Sequence, residues 1–459
     1  MEDPSTGWSP PPSDIAREHL RRSLIPEEQR ALAQPQVEEL LGPAVPLNTL
    51  WRVNIGGDRT STPAPQERDS YPLEGATYYV PKGNGPGTAP LYRLYNGRDH
   101  MESAFPGEPG YQTESILGFP WPAAMPPRGT QSLIRVYNSA TRDHGLRHPY
   151  ETLPGYKDQR LNVFGYPRYG NRADPFIELR AGGIRLRSNR AAGGAIWSWT
   201  WNGTEFVNTW DHGREIQSAL FVANVNPNEA GDTYSSPSSF PAARHGSPLE
   251  IAYNSGTTQV TRAVPLEWTP DSSGGGGSNP VVWRDLLLGK DITLNFDNMG
   301  PVAQYTTVLY TPHALTSAGV EIPTGYLRGN FDTFWTYDAP SDVITQVFPP
   351  PQCPPAPPYT VVFAPEHGGV IISDGSEEHA MGVYGANTSV GGPVSYFSLW
   401  SFICDDNTAS NAYSTSKWNA VHGPSNLPAG YNTFTTWIVT ADLATVRQLM
   451  HTLYLSGVA

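Results

Sequence analysis

Between Thr209 and Asp232 the chain reads TWDHGREIQSALFVANVNPNEAGD, a segment that gathers Asp211, His212, Arg214, Glu215, Gln217, Asn226, Asn228, Glu229 and Asp232. Its apolar residues are too few and too scattered to make it a core element. Carboxyl groups in pairs suit cleavage of a glycosidic bond, where one protonates the leaving oxygen and the other attacks or activates water. Glu215 and Glu229 are the favoured pair, with Asp211 and Asp232 as alternates, and His212 and Arg214 would hold substrate hydroxyls or tune the acid. In an extended WDHGREIQ, His212, Arg214 and Ile216 separate from Asp211, Gly213 and Glu215. Polar groups on both faces fit a strand lining an open cleft. NVNPNEAGD follows as a loop, since Pro227 fixes φ and Asn226 and Asn228 favour turns. Loops on a rigid scaffold are where ligand contacts concentrate. The competing structural reading has Glu229 and Asp232 capping loop amides and Asp211 pairing Arg214.

Two further clusters carry chemistry. APEHGGVIISDGSEEHAMG holds Glu366, His367, Asp374, Glu377, Glu378 and His379. Asp374-Gly375-Ser376 reads as a plain hairpin turn. Glu378 and His379 would face opposite ways, and His379 is the better candidate because a strand resumes behind it. GNFDTFWTYD offers Asp332, Trp335, Tyr337 and Asp338, an aromatic ring beside carboxylates of the kind that stacks on a sugar face. A lyase would instead need a His or Tyr base and a neutralising cation, for which His212, Arg214, His245 and Tyr384 are available. The chain contains no paired-cysteine zinc site, no His-Glu-x-x-His, no phosphate-cradling glycine loop and no Gly-x-Ser-x-Gly elbow. No resident cofactor or catalytic metal is expected, although the sequence leaves room for a structural calcium ion.

These residues need a scaffold, and composition indicates which kind. The 459 residues suffice for two or three cores. Only 16 % are charged, while 45 Gly, 46 Pro, 13 Trp, 23 Tyr and 15 Phe point to an all-β chain with many turns. The net charge of −13 disfavours nucleic acid and polyuronates as partners. No apolar run approaches the roughly 20 residues of a membrane span. Few lysines and many aromatics favour an exported protein, although MEDPSTGWSPPP is no signal peptide, and a monomer is expected. Cys353 and Cys404 pair as one disulfide or stand as two buried thiols.

Three blocks follow along the chain. Residues 1–45 form a helical leader, with helical periodicity over 13–42 and a cap at Ser13. Residues 46–170 repeat three times: LWRVNIGGDR from Leu50, LYRLYNGRDH from Leu91 and LIRVYNSATRDH from Leu133. Each copy then reaches a glycine flanked by aromatic or apolar residues, at Gly75, Gly118 and Gly165. Units this small cannot bury their own faces, so a pseudo-threefold β-trefoil-like module is expected, with a stacked array as the competitor. Residues 171–459 show strand and turn signals every 8–12 residues, the pattern of a large antiparallel β-sandwich, closed by the helical LATVRQLMHTLYL of Leu443–Leu455.

The repeat resembles the Tyr-Arg-x-Tyr-Asn…Asp-His units of lectin-like modules in secreted bacterial enzymes. The first copy departs most, with Asn54 in place of Tyr95 and Tyr137, and Arg59 in place of His100 and His144. The second and third copies are therefore the better sugar-binding candidates. The alternative is that Asp99, His100, Asp143 and His144 fasten turns within each repeat. GGAIWSWTWNGTEFVN, DHGREIQSALF, NPNEAG and SDGSEEHAMGVYG resemble segments of galactose-mutarotase-like sandwiches. That superfamily contains epimerases, carbohydrate-binding domains and sandwich domains of glycoside hydrolases and polysaccharide lyases. The Asn-His-x-x-Phe segment of its epimerases is not found here, which counts against mutarotation. The resemblance implies a carbohydrate-active protein, foremost a glycoside hydrolase acting on a neutral polysaccharide. Glu215, Glu229, Asp211, His212 and Asp232 would then be catalytic, and Arg214, Asn226, Asn228, Asp332, Trp335 and His379 would bind substrate. The alternatives are a non-catalytic glycan binder and a lyase.

Overall fold

Alternation of apolar and polar residues governs most of this chain, and a computed structural model shows strands where it occurs. The structure describes residues 34–149, 151–168, 176–208, 215–223, 225–231, 246–268, 280–351, 362–363, 368–385, 394–403 and 415–457. Of the expected leader, Gln34–Leu41 is a helix that buries Val37 and Leu41 in the main core. The glycine-rich run DSSGGGGSNP, from Asp271 to Pro280, lies outside the described residues except for Pro280, as do Cys353 and Cys404.

Residues 44–167 form three units, each a three-stranded antiparallel sheet with its first strand in the centre. The first consists of Ala44–Ile55, Asp58–Thr62 and Leu73–Pro81. The second consists of Leu91–Tyr95, His100–Ser103 and Gln112–Gly118. The third consists of Gln131–Asn138, Asp143–Arg147 and Lys157–Pro167. Leu50, Leu91 and Leu133, which open the three repeats, are fully buried in one shared core with Tyr78, Val80 and Leu146. Gly118 and Gly165 are there because the strands pass too close for a side chain. A Cβ on Gly165 would lie 2.6 Å from the Tyr79 carbonyl oxygen, and one on Gly118 would lie 2.4 Å from Val80 Cγ2. Each sequence repeat thus opens one three-stranded unit.

The remaining strands build a sandwich. One layer is a nine-stranded antiparallel sheet in the order Leu249–Ser255, Thr258–Ala263, Leu287–Leu294, Val302–Thr311, Gly430–Ala441, Ala380–Gly385, Gly368–Ser373, Thr333–Asp338 and Val343–Val347. The facing layer includes Tyr396–Phe402, Thr415–Leu427, Leu315–Arg328 and Gln217–Phe221. It runs on through Val281–Trp283 into Ala44–Ile55 of the first unit. One sheet therefore joins the module to the sandwich, and the strand entering the module is shared by both. Inward side chains of the two layers, among them Leu288, Ile292, Leu309, Val320, Leu399 and Trp418, make the main core. The helix expected at Leu443–Leu455 is found there, capped by Asp442 Oδ1, which accepts from Thr445 N at 2.9 Å. It buries Val446, Met450 and Leu453 on the outer face of the nine-stranded sheet.

Candidate functional site

Within the polar segment, residues 215–220 run through the interior. Glu215 and Glu229 are both fully buried. Each carboxylate oxygen of Glu229 accepts from Lys290 Nζ at 2.9 Å, and Oε2 also accepts from Ser218 N at 2.8 Å. Ser218 Oγ in turn meets the Tyr305 and Thr307 hydroxyls at 3.0 Å. Burial pulls the Lys290 ammonium below its usual value, opposed by Glu229 and, more distantly, by Glu215. Burial also pushes the Tyr305 phenol well up. Among the described residues, the expected open trough around Glu215 and Glu229 is replaced by a closed ion-pair network between the layers. A polymer cannot reach acids at this depth.

The other expected ligand contacts in this segment brace the loop. Asn228 Oδ1 accepts from Gly231 N at 2.7 Å, and Gln217 Oε1 accepts from Ala230 N at 2.8 Å. Asn226 Nδ2 donates to the Leu220 carbonyl at 3.2 Å. Asp211, His212, Arg214 and Asp232 lie outside the described residues, as do His245, Glu366 and His367. Asp332 is exposed and accepts from Thr333 Oγ1 at 3.2 Å. Half-buried Trp335 donates to Ser373 Oγ at 3.1 Å and packs on the outer cluster with the C-terminal helix. Tyr384 is buried there too. His379 lies on the turn before Ala380–Gly385, with Asp374 and Thr204 as partners. The structure therefore does not bring Asp332, Trp335 and His379 together with Glu215 and Glu229.

The signal for the buried pair was in the sequence. In LLGKDITL the inward positions are Leu288, Lys290, Ile292 and Leu294, so period two places a lysine in the core. A buried ammonium requires an anion. That anion is Glu229, 61 residues away.

In the module the repeated polar residues converge instead on the pseudo-threefold axis, where they pair between units. Asp58 of the first unit accepts from the backbone N and Nδ1 of His100 in the second. Asp99 of the second accepts from the backbone N and Nδ1 of His144 in the third, at 2.9 and 2.7 Å. Asp143 of the third accepts from Arg59 N at 2.8 Å and Nη1 at 3.2 Å, closing the ring on the first. Arg59 thus substitutes for histidine without breaking the cycle. The expectation that these residues fasten their own repeat holds in part, since Tyr111 donates to Asp99 and Tyr156 to Asp143 within a unit, but each Asp also holds the next unit. Tyr95 and Tyr137 stack on His100 and His144, both at 4.4 Å.

A second cycle lies beneath. Arg52 Nη2 donates to Glu151 of the third unit at 2.7 Å, and Arg93 Nη1 to Glu67 of the first at 2.7 Å. Arg135 Nη1 donates to Glu108 of the second at 2.9 Å. The repeated Arg is therefore an inter-unit clamp. Burial works against the charged forms at the axis, but pairing outweighs it in two cases. His144 and Tyr111 hold the Asp99 carboxyl below its ordinary range, while Asp58 raises the His100 imidazole. Burial prevails at Asp143 and raises its carboxyl.

One carboxylate oxygen from each of Asp58, Asp99 and Asp143 lies within 4.8 Å of the others. Distance alone would suit a cation, but each carboxylate already faces a histidine or arginine. Above them is a depression of about 200 Å³ lined by Gly56, Gly57, Asp58, Arg98, Asp99, Thr141, Arg142 and Asp143. Arg98 and Arg142 occupy equivalent turn positions and are exposed, while Gly57 takes that position in the first unit. Nothing lies within 4 Å of where a side chain at Gly56 or Gly57 would stand, so the rim is open there. Sequence reasoning singled out the neighbouring Asp and His residues but missed Arg98 and Arg142, although both directly precede the repeated Asp.

No family model matches the chain, and no curated protein does. Among solved structures it is similar to a galactose mutarotase-like protein from Clostridium acetobutylicum, at 8 % identity and a TM-score of 0.29 over 58 % of this chain and 94 % of that one. It is similar to galactose 1-epimerase from Lactobacillus acidophilus at 9 % and 0.30, over 64 % and 96 % of the two chains. It is also similar to heparinase III at 9 % and 0.30, over 61 % of this chain and 38 % of that one. Likeness this shallow says nothing of ligand or reaction.

Proposed function

We propose that the protein binds carbohydrate and that the depression on the threefold axis of its module is the contact surface. The observation that carries this reading is the lining itself. Carboxylate acceptors from Asp58, Asp99 and Asp143 stand beside the guanidinium donors of Arg98 and Arg142 and the Thr141 hydroxyl in one open concavity. A sugar ring presents hydroxyls that donate and accept at once, and charged partners roughly double the strength of such bonds. The volume is below the roughly 300–1,000 Å³ of a drug-sized ligand pocket and suits a single ring held at a chain end or branch. Hydroxyl recognition also accommodates the net charge of −13, which would repel polyanionic glycans. Export belongs to the same proposal, as does binding as a monomer.

Hydrolysis of a neutral polysaccharide has less support, because Glu215 and Glu229 are closed off between the layers. The experiment is calorimetric titration with a panel of neutral oligosaccharides, using the intact protein and an Arg98→Ala/Arg142→Ala variant. Binding by the first and its loss in the second, at matched melting temperature, is the expected result. Failure of every glycan to bind, or equal binding by the variant, would reject the assignment. New reducing ends from any polymer would return the protein to the hydrolases.

A further inference from the structure

One chain of nucleophile, base and orienting carboxylate stands apart from the module and from the buried ion pair. Thr204 follows the Asn202-Gly203 turn of the hairpin Ile196–Trp201 and Thr204–Glu205, where Asn202 has φ 49° and Gly203 φ 88°. Its hydroxyl lies 2.9 Å from His379 Nε2, across 175 positions of sequence. His379 Nδ1 lies 2.9 Å from Asp374 Oδ2. Asp374 also accepts from Ser376 Oγ at 2.9 Å, and its backbone N donates to the His379 carbonyl at 2.9 Å, so the short turn holds carboxylate and imidazole in register.

This arrangement selects one tautomer. A carboxylate can only accept, so Nδ1 carries the hydrogen and Nε2 presents its lone pair to the Thr204 hydroxyl. Trp201 packs against the ring in a T-shaped contact at 6.2 Å. The His379 side chain is 27 % exposed and that of Asp374 is 18 %, so the relay is partly sheltered and still open to a ligand. The Asp374 carboxyl is held below its ordinary range: burial acts to raise it, but the bonds from His379 and Ser376 prevail.

We propose that Thr204, His379 and Asp374 form an acyl-transfer relay for esters of small carboxylic acids. Thr204 Oγ attacks the ester carbonyl and gives its proton to His379 Nε2. The bond from the carbonyl carbon to the leaving oxygen breaks, and that oxygen takes the proton from His379, which leaves an acyl group on Thr204. Water then attacks the acyl carbon while His379 accepts its proton. The carboxylic acid departs, and the proton on His379 restores the Thr204 hydroxyl. Thr204 and His379 are catalytic residues in this scheme, and Asp374 is a positioning residue. The scheme stands independently of glycan binding at the module.

The test treats the intact chain with p-nitrophenyl acetate, following nitrophenolate release and the mass of the protein. One acetyl group should appear, mapped to Thr204. Thr204→Ser should keep both label and turnover, and Thr204→Val should lose both. His379→Gln should slow acylation by about 10²-fold or more, the usual contribution of a positioned base. Asp374→Asn should displace the pH profile. Because Thr204→Ser keeps the hydroxyl and the fold, a failure to fold in another variant leaves the outcome readable. No acetylation, acetyl groups confined to other residues, or a Thr204→Val rate equal to that of the unaltered chain would each overturn the proposal.

Discussion

The module and the sandwich both bury charge, but they neutralise it in opposite ways. In the module, partners recur at each repeat and pass from unit to unit, as in Asp58–His100, Asp99–His144 and Asp143–Arg59. In the sandwich, Glu229 is neutralised by Lys290, held between both of its oxygens, with no repeat to announce it. A distributed ring should tolerate the loss of one member, because neighbouring contacts still hold the three units together. A lone buried pair should not.

The largest expected effect follows from that contrast. Lys290→Met leaves Glu229 buried without its cation and should cost about 3–5 kcal/mol in denaturant unfolding. The double variant Lys290→Met/Glu229→Leu should recover most of it, since apolar replacements of similar volume are often neutral or better. If Lys290→Met alone left stability unchanged, the pair would not be a buried one. Gly165→Ala comes next, at about 1–3 kcal/mol, because its Cβ would press on the Tyr79 carbonyl and on Leu133. Chemical denaturation monitored by tryptophan fluorescence would read both variants.

Asp99→Asn should cost about 1–3 kcal/mol, the range for a buried donor losing its partner. Asp58→Asn should cost less than Lys290→Met for the same reason, and the reverse order would break the comparison. The pH profile sharpens it further. The depressed Asp99 contributes stability above its ordinary carboxyl value, lost as pH falls through the lower folded value. The raised His100 contributes stability below its ordinary value of 6.5, lost as pH rises through the higher folded value. These two groups together favour a window between about pH 4 and 6.5, whereas the raised Asp143 carboxyl takes stability away as pH climbs above its ordinary value. His100→Gln should flatten the alkaline side of a melting-temperature profile.

Local signals carried much of the architecture. The Leu50, Leu91 and Leu133 spacing foretold that the three repeats share one core, and LATVRQLMHTLYL foretold the closing helix to the residue. What could not be read locally was who pairs with whom. Asp99 and His100 are neighbours in the chain, yet each serves a different junction, because the units interlock with an offset of one repeat. The stretch from Glu215 to Glu229 looked like an open site for a related reason. Its polar groups are unusual by composition alone, and the cation that lets Glu229 stay inside comes from a distant strand. Arg98 and Arg142 went unnoticed because exposed arginines in turns are common, and only the fold places both on one rim.

The assignment of recognition to the module, and of support to the charges inside the sandwich, is tested most directly by titrating neutral oligosaccharides into the Arg98→Ala/Arg142→Ala protein. Both side chains are exposed, so the melting temperature should hold while heat of binding disappears. Undiminished binding by this variant would contradict the account and return the search for the ligand site to the sandwich.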